Sequence, residues 1–334
     1  MPFYLPGGAS SLAILVVALL LDALLGDVRL LDGWPTPGRL VFRTGRWLDR
    51  KLNRIERSDA ERRHRGQVAA ALVIVAAGAL GAGVVWLAYT APRAWNLWII
   101  EAVLLSSCLG LRWAWRRLRA VRQALLAGGL DAGRQAVAPL MRGRAEHLDQ
   151  HGVARVAVEA AAKALDQRIV APLFWFALLG LPGALIWTAA DALDAAIGHP
   201  DPHHAEFGAA AARLDDALNF LPARLSVLLV AIAAFFVPGG KPAQAFATAV
   251  RHARLHASRN GGWPIAAFAG ALDLALGGPR REVGAIANQA WLGDGRARAT
   301  AGDLKPAIAL YLVAGLLSAA LVLSVGLLLA GSWL

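Results

Sequence analysis

Residues 171–198, APLFWFALLGLPGALIWTAADALDAAIG, and residues 207–225, FGAAAARLDDALNFLPARL, set aromatic and aliphatic runs directly against Asp191, Asp194, Asp215 and Asp216. An apolar run of this length reads as a membrane-embedded helix. An ionised side chain at bilayer depth costs roughly 2.5 to 3.5 kcal/mol on the mild insertion scale. The four carboxylates therefore need a watered position or a use, and they are the first candidates for function.

The rest of the chain has the same character. Of 334 residues, 57% are hydrophobic and 17% charged, and the mean hydropathy is +0.49. That is more apolar surface than a soluble core of this size requires, and it defines an all-α, polytopic integral membrane protein. Apolar runs near 9–25, 68–90, 94–111, 169–193, 222–237 and 306–330 give about six membrane-embedded helical segments. The first lacks a preceding positive charge and a small-residue cleavage site, so it reads as a retained helix. With no internal repeat, residues 1–334 read as one integral membrane domain.

Charge sets the expected sidedness. Basic loops at about 26–67, 112–168 and 238–305 carry eleven, eleven and nine Lys or Arg against six, five and four acids, and belong on the cytoplasmic side. Residues 194–221 carry only Arg213 against five acids, and charge alone puts them outside. Gly180, Pro182 and Gly183, however, break the fourth run in its middle. A broken helix is tolerated where it lines a protein-enclosed or watered cavity, and a re-entrant 171–197 would return its aspartates to the cytoplasmic face. The sequence fits either topology.

The basic loops contain amphipathic helices: WAWRRLRAVRQALLAGG and HGVARVAVEAAAKALDQRIV space their apolar residues at three and four, with Gly128 and Gly129 as a stop. Trp113, Trp115 and the arginines around them suit a lipid headgroup layer. The net charge of +11 sits in blocks between apolar runs without interleaved aromatic platforms, which argues against nucleic acid as a partner. The sole cysteine, Cys108, excludes a disulfide framework and a cysteine metal site.

No Walker A loop, HExxH, GxSxG or paired CxxC occurs, so the candidate chemistry rests on carboxylates and arginines. Asp22 and Asp27 end the first span in LDALLGDVR; Asp27 after Gly26 suits either a Mg2+ ligand or a turn residue. In RLDDALNFLPARL, Arg213 and Asp216 share a helix face with Asn219 or Phe220, as a metal and phosphate set or as a plain ion pair. In RHARLHASRNGGWP, Ser258, Arg259, Asn260 and the following glycines suit a phosphate, or an ordinary helix stop. His252 and His256, four apart without a third ligand nearby, read as a solvated face, and the His203, His204, Glu206 group is similarly weak. Glu159 and Lys163 have the spacing of a helical surface pair, and Glu101 stands in the third span beside no evident partner.

Taken together, LDALLGD, APLFWFALLGLPGAL, DALD-x3-G, FGxxAARLDDxLNFLPARL and HASRNGGWPxAAFAGAL followed by LGGP resemble the CobD/CbiB family of cobalamin biosynthesis, in order and spacing through nearly the whole chain. The resemblance implies an inner-membrane, multi-pass ligase that joins an aminopropanol phosphate by an amide bond to adenosylcobyric acid, with ATP and Mg2+. On that reading Asp27, Asp194, Asp215 and Asp216 are metal ligands. Arg213, Arg224, Ser258 and Asn260 hold phosphate or corrin amides. Glu159 serves as general base, with Asp166 and Lys163 beside it in the catalytic set. The implied partners are the two substrates, the lipid bilayer and other proteins of the cobalamin pathway.

The chain also departs from the family's pattern. Where the family reads AEN and then an acid, this chain has Ala162, Lys163 and Ala164 before Asp166; its NTLD is DALD, with Asp191 for the amide and Thr188 for an arginine. HPV is replaced by Thr36, Pro37, Gly38, and Arg259 and Ile265 stand for Pro and Glu in SPNxGWPE. Tyrosines expected after LGGP are absent from PRREVG. The alternatives are a noncatalytic or regulatory relative, similar to the AmpE branch, that has kept scaffold and lost polar groups, and a small-solute transporter.

Overall fold

A computed structural model of the chain describes residues 11–26, 35–90, 97–141, 144–199, 201–282, 285–287 and 289–331. The described residues are overwhelmingly α-helical. In chain order the helices are α1 Ser11–Leu25, α2 Pro37–Leu52, α3 Asp59–Thr90, α4 Leu97–Cys108, α5 Leu111–Ala127, α6 Gly129–Val137, α7 Gln150–Leu165 and α8 Ala171–Ile197. They continue with α9 Ala209–Leu218, α10 Phe220–Ala233, α11 Pro242–His252, α12 Gly262–Leu272 and α13 Leu304–Gly331. A π turn, Asp166–Val170, separates α7 from α8.

Four stretches are long and apolar enough to cross a membrane: Asp59–Ala88, Leu97–Ala127, Gln150–Ile197 and Leu304–Leu328. Ala209–Leu218 and Phe220–Phe236, counted as one span, make a fifth. The protein is thus an all-α, multi-pass membrane protein, as its composition implies. The first expected span is the shorter α1, 15 residues long. The only strands among the described residues are two antiparallel pairs of two or three residues, β1 Leu276–Gly277 with β4 Trp291–Leu292 and β2 Arg280–Glu282 with β3 Ala285–Ala287.

The chain divides into two compact units, one of residues 1–110, 171–219 and 321–334, the other of residues 111–170 and 220–320. In the first, α2, α3, α4 and α9 all pack on α8. Its core joins Ala69 and Ala70 of α3, Leu193, Ala196 and Ile197 of α8, Phe207 and Ala211. Small side chains let these backbones approach closely, which is how helices associate when lipid offers no hydrophobic contrast. Gly66 shows the limit: a Cβ there would meet the carbonyl oxygen of Phe207 at 2.0 Å.

Local chemistry sets the helix starts. Thr36 caps α2 through a bond from the Arg39 N–H at 3.4 Å, with Pro37 at the first helical position. Ser58 and Glu61 form a reciprocal capping box before α3: the Glu61 N–H donates to Ser58 Oγ at 3.3 Å and the Ser58 N–H to Glu61 Oε2 at 3.1 Å.

In the second unit α11 and α12 form a hairpin, and α12 also packs on α10 and α7. Asp149 caps α7 through the Gly152 N–H at 2.6 Å. Asp303 accepts from the Thr300 N–H at 2.8 Å and from the Arg296 guanidinium at 2.8 Å, just ahead of α13. Tyr311 of α13 is fully buried and donates its hydroxyl to the carbonyl of Leu111 at 3.3 Å.

Candidate functional site

In the first unit the site is built around the break in α8. Gly180 has φ 67° and ψ −154°, a backbone shape essentially confined to glycine, and Pro182 follows it. The GLPG sequence therefore does interrupt the helix where the sequence places the interruption. Two tryptophans, one on each side of the break, fix the end of α9. Trp175 Nε1 donates to the carbonyl of Leu218 at 3.1 Å, and Trp187 Nε1 donates to Asn219 Oδ1 at 3.1 Å. Asn219, 2% exposed, then donates from Nδ2 to Asp215 Oδ1 at 2.8 Å.

Asp191, Asp194 and Asp216 all lie within Coulombic range of Asp215. All four are partly buried. Like charges gathered beside a low-dielectric wall repel one another, and a bound cation relieves that repulsion. The carboxylates of DALD and RLDD thus stand close enough to feel one another's charge. Mg2+ takes one or two carboxylates together with phosphate oxygens and water; the ligand atoms of Asp194, Asp215 and Asp216 do not gather closely enough to form a preformed three-carboxylate cage. Arg213, on the same helix as Asp215, is exposed. Asp27 lies outside the described residues.

The second unit gathers a different chemistry. Arg224 of α10 donates to Asn260 Oδ1 at 3.2 Å and to the carbonyl of Phe220. Its guanidinium lies over the Phe220 ring, 3.5 Å from the centroid, and 4.7 Å from the centroid of Trp263. Arg254 and Asp166 act on it electrostatically. A planar cation held by aromatic faces, with a second guanidinium nearby and a buried amide, suits phosphate oxygens. Arg254 escapes a sequence reading, since RHARLH offers two arginines and two histidines and no reason to choose among them.

Other expected residues fall nearby in the chain but are engaged differently. Ser258 is exposed, and its Oγ accepts the Gly261 N–H at 3.1 Å, so the helix-stop geometry of SRNGG is present beside Asn260. Asp166 is 3% exposed, in the π turn, and accepts the buried Ser226 hydroxyl at 3.1 Å. Arg168 of the same turn stacks on Trp113, 4.0 Å from the ring centroid. Such turns inside helices recur at functional sites.

Glu159 is 5% exposed and so is no surface residue; its Oε1 accepts the Gly277 N–H of the LGGP turn at 2.8 Å. Lys163 is exposed. His252 Nδ1 accepts the Gly293 N–H at 2.8 Å, which ties α11 to the loop after β4 instead of leaving a solvated face. Glu101 is 3% exposed, and its Oε2 has no hydrogen-bond partner among the described residues.

The fold thus defines a multi-pass α-helical membrane protein, with interacting carboxylates in one unit and an arginine and amide group in the other. The CobD/Cbib protein family matches residues 15–311, and the chain belongs to that family. It is 36% identical over 326 residues to the cobalamin biosynthesis protein CobD of Sinorhizobium sp, covering 95% of this chain and 98% of that one. The CobD of Rhodobacter capsulatus is 38% identical over 309 residues, with 90% and 92% covered. That of Rhizobium meliloti is 37% identical over 309 residues, with 92% and 94% covered. No solved structure matches the chain.

Proposed function

We propose that this protein serves cobalamin biosynthesis in the cell inner membrane as an adenosylcobinamide-phosphate synthase, an ATP-dependent amide ligase. The names of its full-length relatives support the pathway, and the gathering of Asp191, Asp194 and Asp216 around Asp215 is the observation that carries the chemistry. The free carboxylate of adenosylcobyric acid attacks the terminal phosphorus of ATP, forming an acyl phosphate and releasing ADP. The amine of the aminopropanol phosphate then attacks the acyl carbon, loses a proton and expels inorganic phosphate, leaving the amide.

Each part of this sequence has residues suited to it. Asp194, Asp215 and Asp216 would hold Mg2+, which when bound neutralises phosphate charge; Asp27 completes the set on the resemblance alone. Arg224, with Asn260 and Ser258, holds phosphate oxygens, and Arg213 is assigned to the same task. Glu159 accepts the proton of the amine, while Asp166 and Lys163 stand on the same chain segment as orienting and phosphate-holding groups.

The test is amidation of adenosylcobyric acid by the purified protein in detergent, read as amide product with equimolar ADP and phosphate. The expected result is turnover that requires both ATP and Mg2+. Absence of product from well-folded protein, together with failure to rescue a strain lacking the ligase, would leave a noncatalytic member of the family. Solute flux in sealed vesicles without ATP cleavage would replace the ligase by a transporter.

A further inference from the structure

Away from these clusters, in the first unit, α2 and the loop before α9 bring together Asp49, His203 and His204. One ligand atom from each lies within 4.8 Å of the other two. His203 Nε2 is 3.6 Å from Asp49 Oδ1, and His204 Nε2 is 3.5 Å from Asp49 Oδ2. Two ligands at about 2.0–2.1 Å from a tetrahedral zinc ion stand roughly 3.4 Å apart, so both separations match a shared metal. They are too long for direct hydrogen bonds.

The surroundings select the ligating tautomer. His204 Nδ1 lies 2.8 Å from Asp201 Oδ2, so the ring donates its Nδ1–H to that carboxylate and Nε2 keeps its lone pair. That Nε2 is buried and has no hydrogen-bond partner among the described residues. A lone pair facing a carboxylate oxygen is repulsive unless a metal ion or a proton lies between them, and at 3.5 Å a proton makes a poor hydrogen bond. Asp49, 7% exposed, is held by Asn53, whose Nδ2 donates to Asp49 Oδ1 at 2.8 Å.

The loop itself is fixed before any metal arrives. Asn53 Nδ2 also donates to the His203 carbonyl at 2.8 Å, and Arg62 donates from Nε to Asn53 Oδ1 at 2.9 Å and from Nη2 to the same carbonyl. Phe207, four residues past His203, is locked in the core against α3. His203 also lines an open pocket of about 630 Å³ with Asn53, Arg54, Ile55, Glu56 and Arg57.

We propose that Asp49, His203 and His204 bind a divalent transition-metal ion of the zinc type, which clips the loop before α9 to α2. Two imidazoles with one carboxylate favour zinc or cobalt over Mg2+ or Ca2+, which take oxygen ligands. The site is independent of the proposed ligase reaction, and metal binding reads it directly.

The experiment uses full-length protein purified in detergent through a tag without histidine, stripped with a chelator, and titrated with Zn2+, Co2+ and Mg2+. The expected result is one saturating equivalent of Zn2+, competing Co2+ that develops tetrahedral visible absorption, a Zn2+-dependent rise in melting temperature and no matching response to Mg2+. His203→Ala and His204→Ala should abolish the cobalt spectrum, and Asp201→Asn should weaken Zn2+ binding roughly 10- to 100-fold. His203 is 39% exposed at its side chain, so its variant is the one least able to disturb folding. Stoichiometric Zn2+ binding by folded His203→Ala, or no saturable uptake by the parent protein, overturns the proposal.

Discussion

Asn219 and Asp215 stand one helical turn apart at the end of α9, and the amide nitrogen of the first donates to the carboxylate of the second at 2.8 Å. Trp187 fixes the other side of the same amide, so the orientation of Asp215 is set from α8. On the proposed reading Asp215 holds Mg2+, and an amide that orients a ligand acts on metal affinity and leaves the reacting atoms alone.

Asn219→Ala should accordingly raise the Mg2+ concentration needed for half-maximal amidation by roughly 10- to 100-fold, with turnover at saturating Mg2+ largely kept. Asp215→Asn should remove activity at any Mg2+ concentration. A Mg2+ titration of initial rates measures both, and unchanged activity in Asp215→Asn would sink the metal assignment.

On the proposed reading Glu159 has two separable roles, as acceptor of the Gly277 N–H and as general base. Glu159→Gln keeps an oxygen that can accept the Gly277 N–H but loses the ability to take a proton, so kcat should fall by about 100-fold or more while the melting temperature holds. Glu159→Ala should lose both, and leaving a buried N–H unpartnered costs about 1–3 kcal/mol. Full activity in the Gln variant would reduce Glu159 to an anchor for the LGGP turn.

The break in α8 should be costly to alter. Gly180→Ala places a Cβ on a backbone shape reserved for glycine and should destabilise by about 1–3 kcal/mol. Gly83, inside α3 with nothing near a new Cβ, is the control: Gly83→Ala should stabilise by about 0.4–1 kcal/mol. Thermal melts in one detergent compare the two.

Asp303 supplies a pH dependence. Burial acts to raise its pKa, but the Thr300 N–H, the Arg296 guanidinium and the Thr300 hydroxyl together hold it below the ordinary carboxylate value. A group lowered on folding stabilises above its unfolded pKa and loses that contribution as pH falls through the folded one. Asp303→Asn should therefore melt lower than the parent near neutral pH, with the gap closing below about pH 4. A gap that widens on acidification would contradict the assignment.

The legible part of this molecule was its local physics. Hydropathy and periodicity located the long helices, the glycines and proline of GLPG located the break in α8, and the apolar setting of DALD and RLDD marked the aspartates that interact. What sequence hid depends on partners far along the chain. His203 and His204 read as weak because their third ligand, Asp49, sits on α2. Glu159 read as a surface residue by its spacing from Lys163, yet its partner is the backbone of Gly277, and no side-chain pattern reports a backbone N–H. The capture of the Ser226 hydroxyl by Asp166 was hidden because the two side chains stand 60 residues apart in the chain.

The π turn at Asp166–Val170 has a consequence for insertions and deletions. Its wider winding accommodates a residue that an α-helix would not, and each α-helical residue advances the chain by about 100°. Deleting Gln167 would close the bulge into ordinary winding, and it would make Asp166 and Arg168 direct neighbours about 100° apart on the helix. Asp166 and Arg168 could then no longer meet Ser226 and Trp113 together, so a change of one residue in length there would do more harm than most changes of residue type.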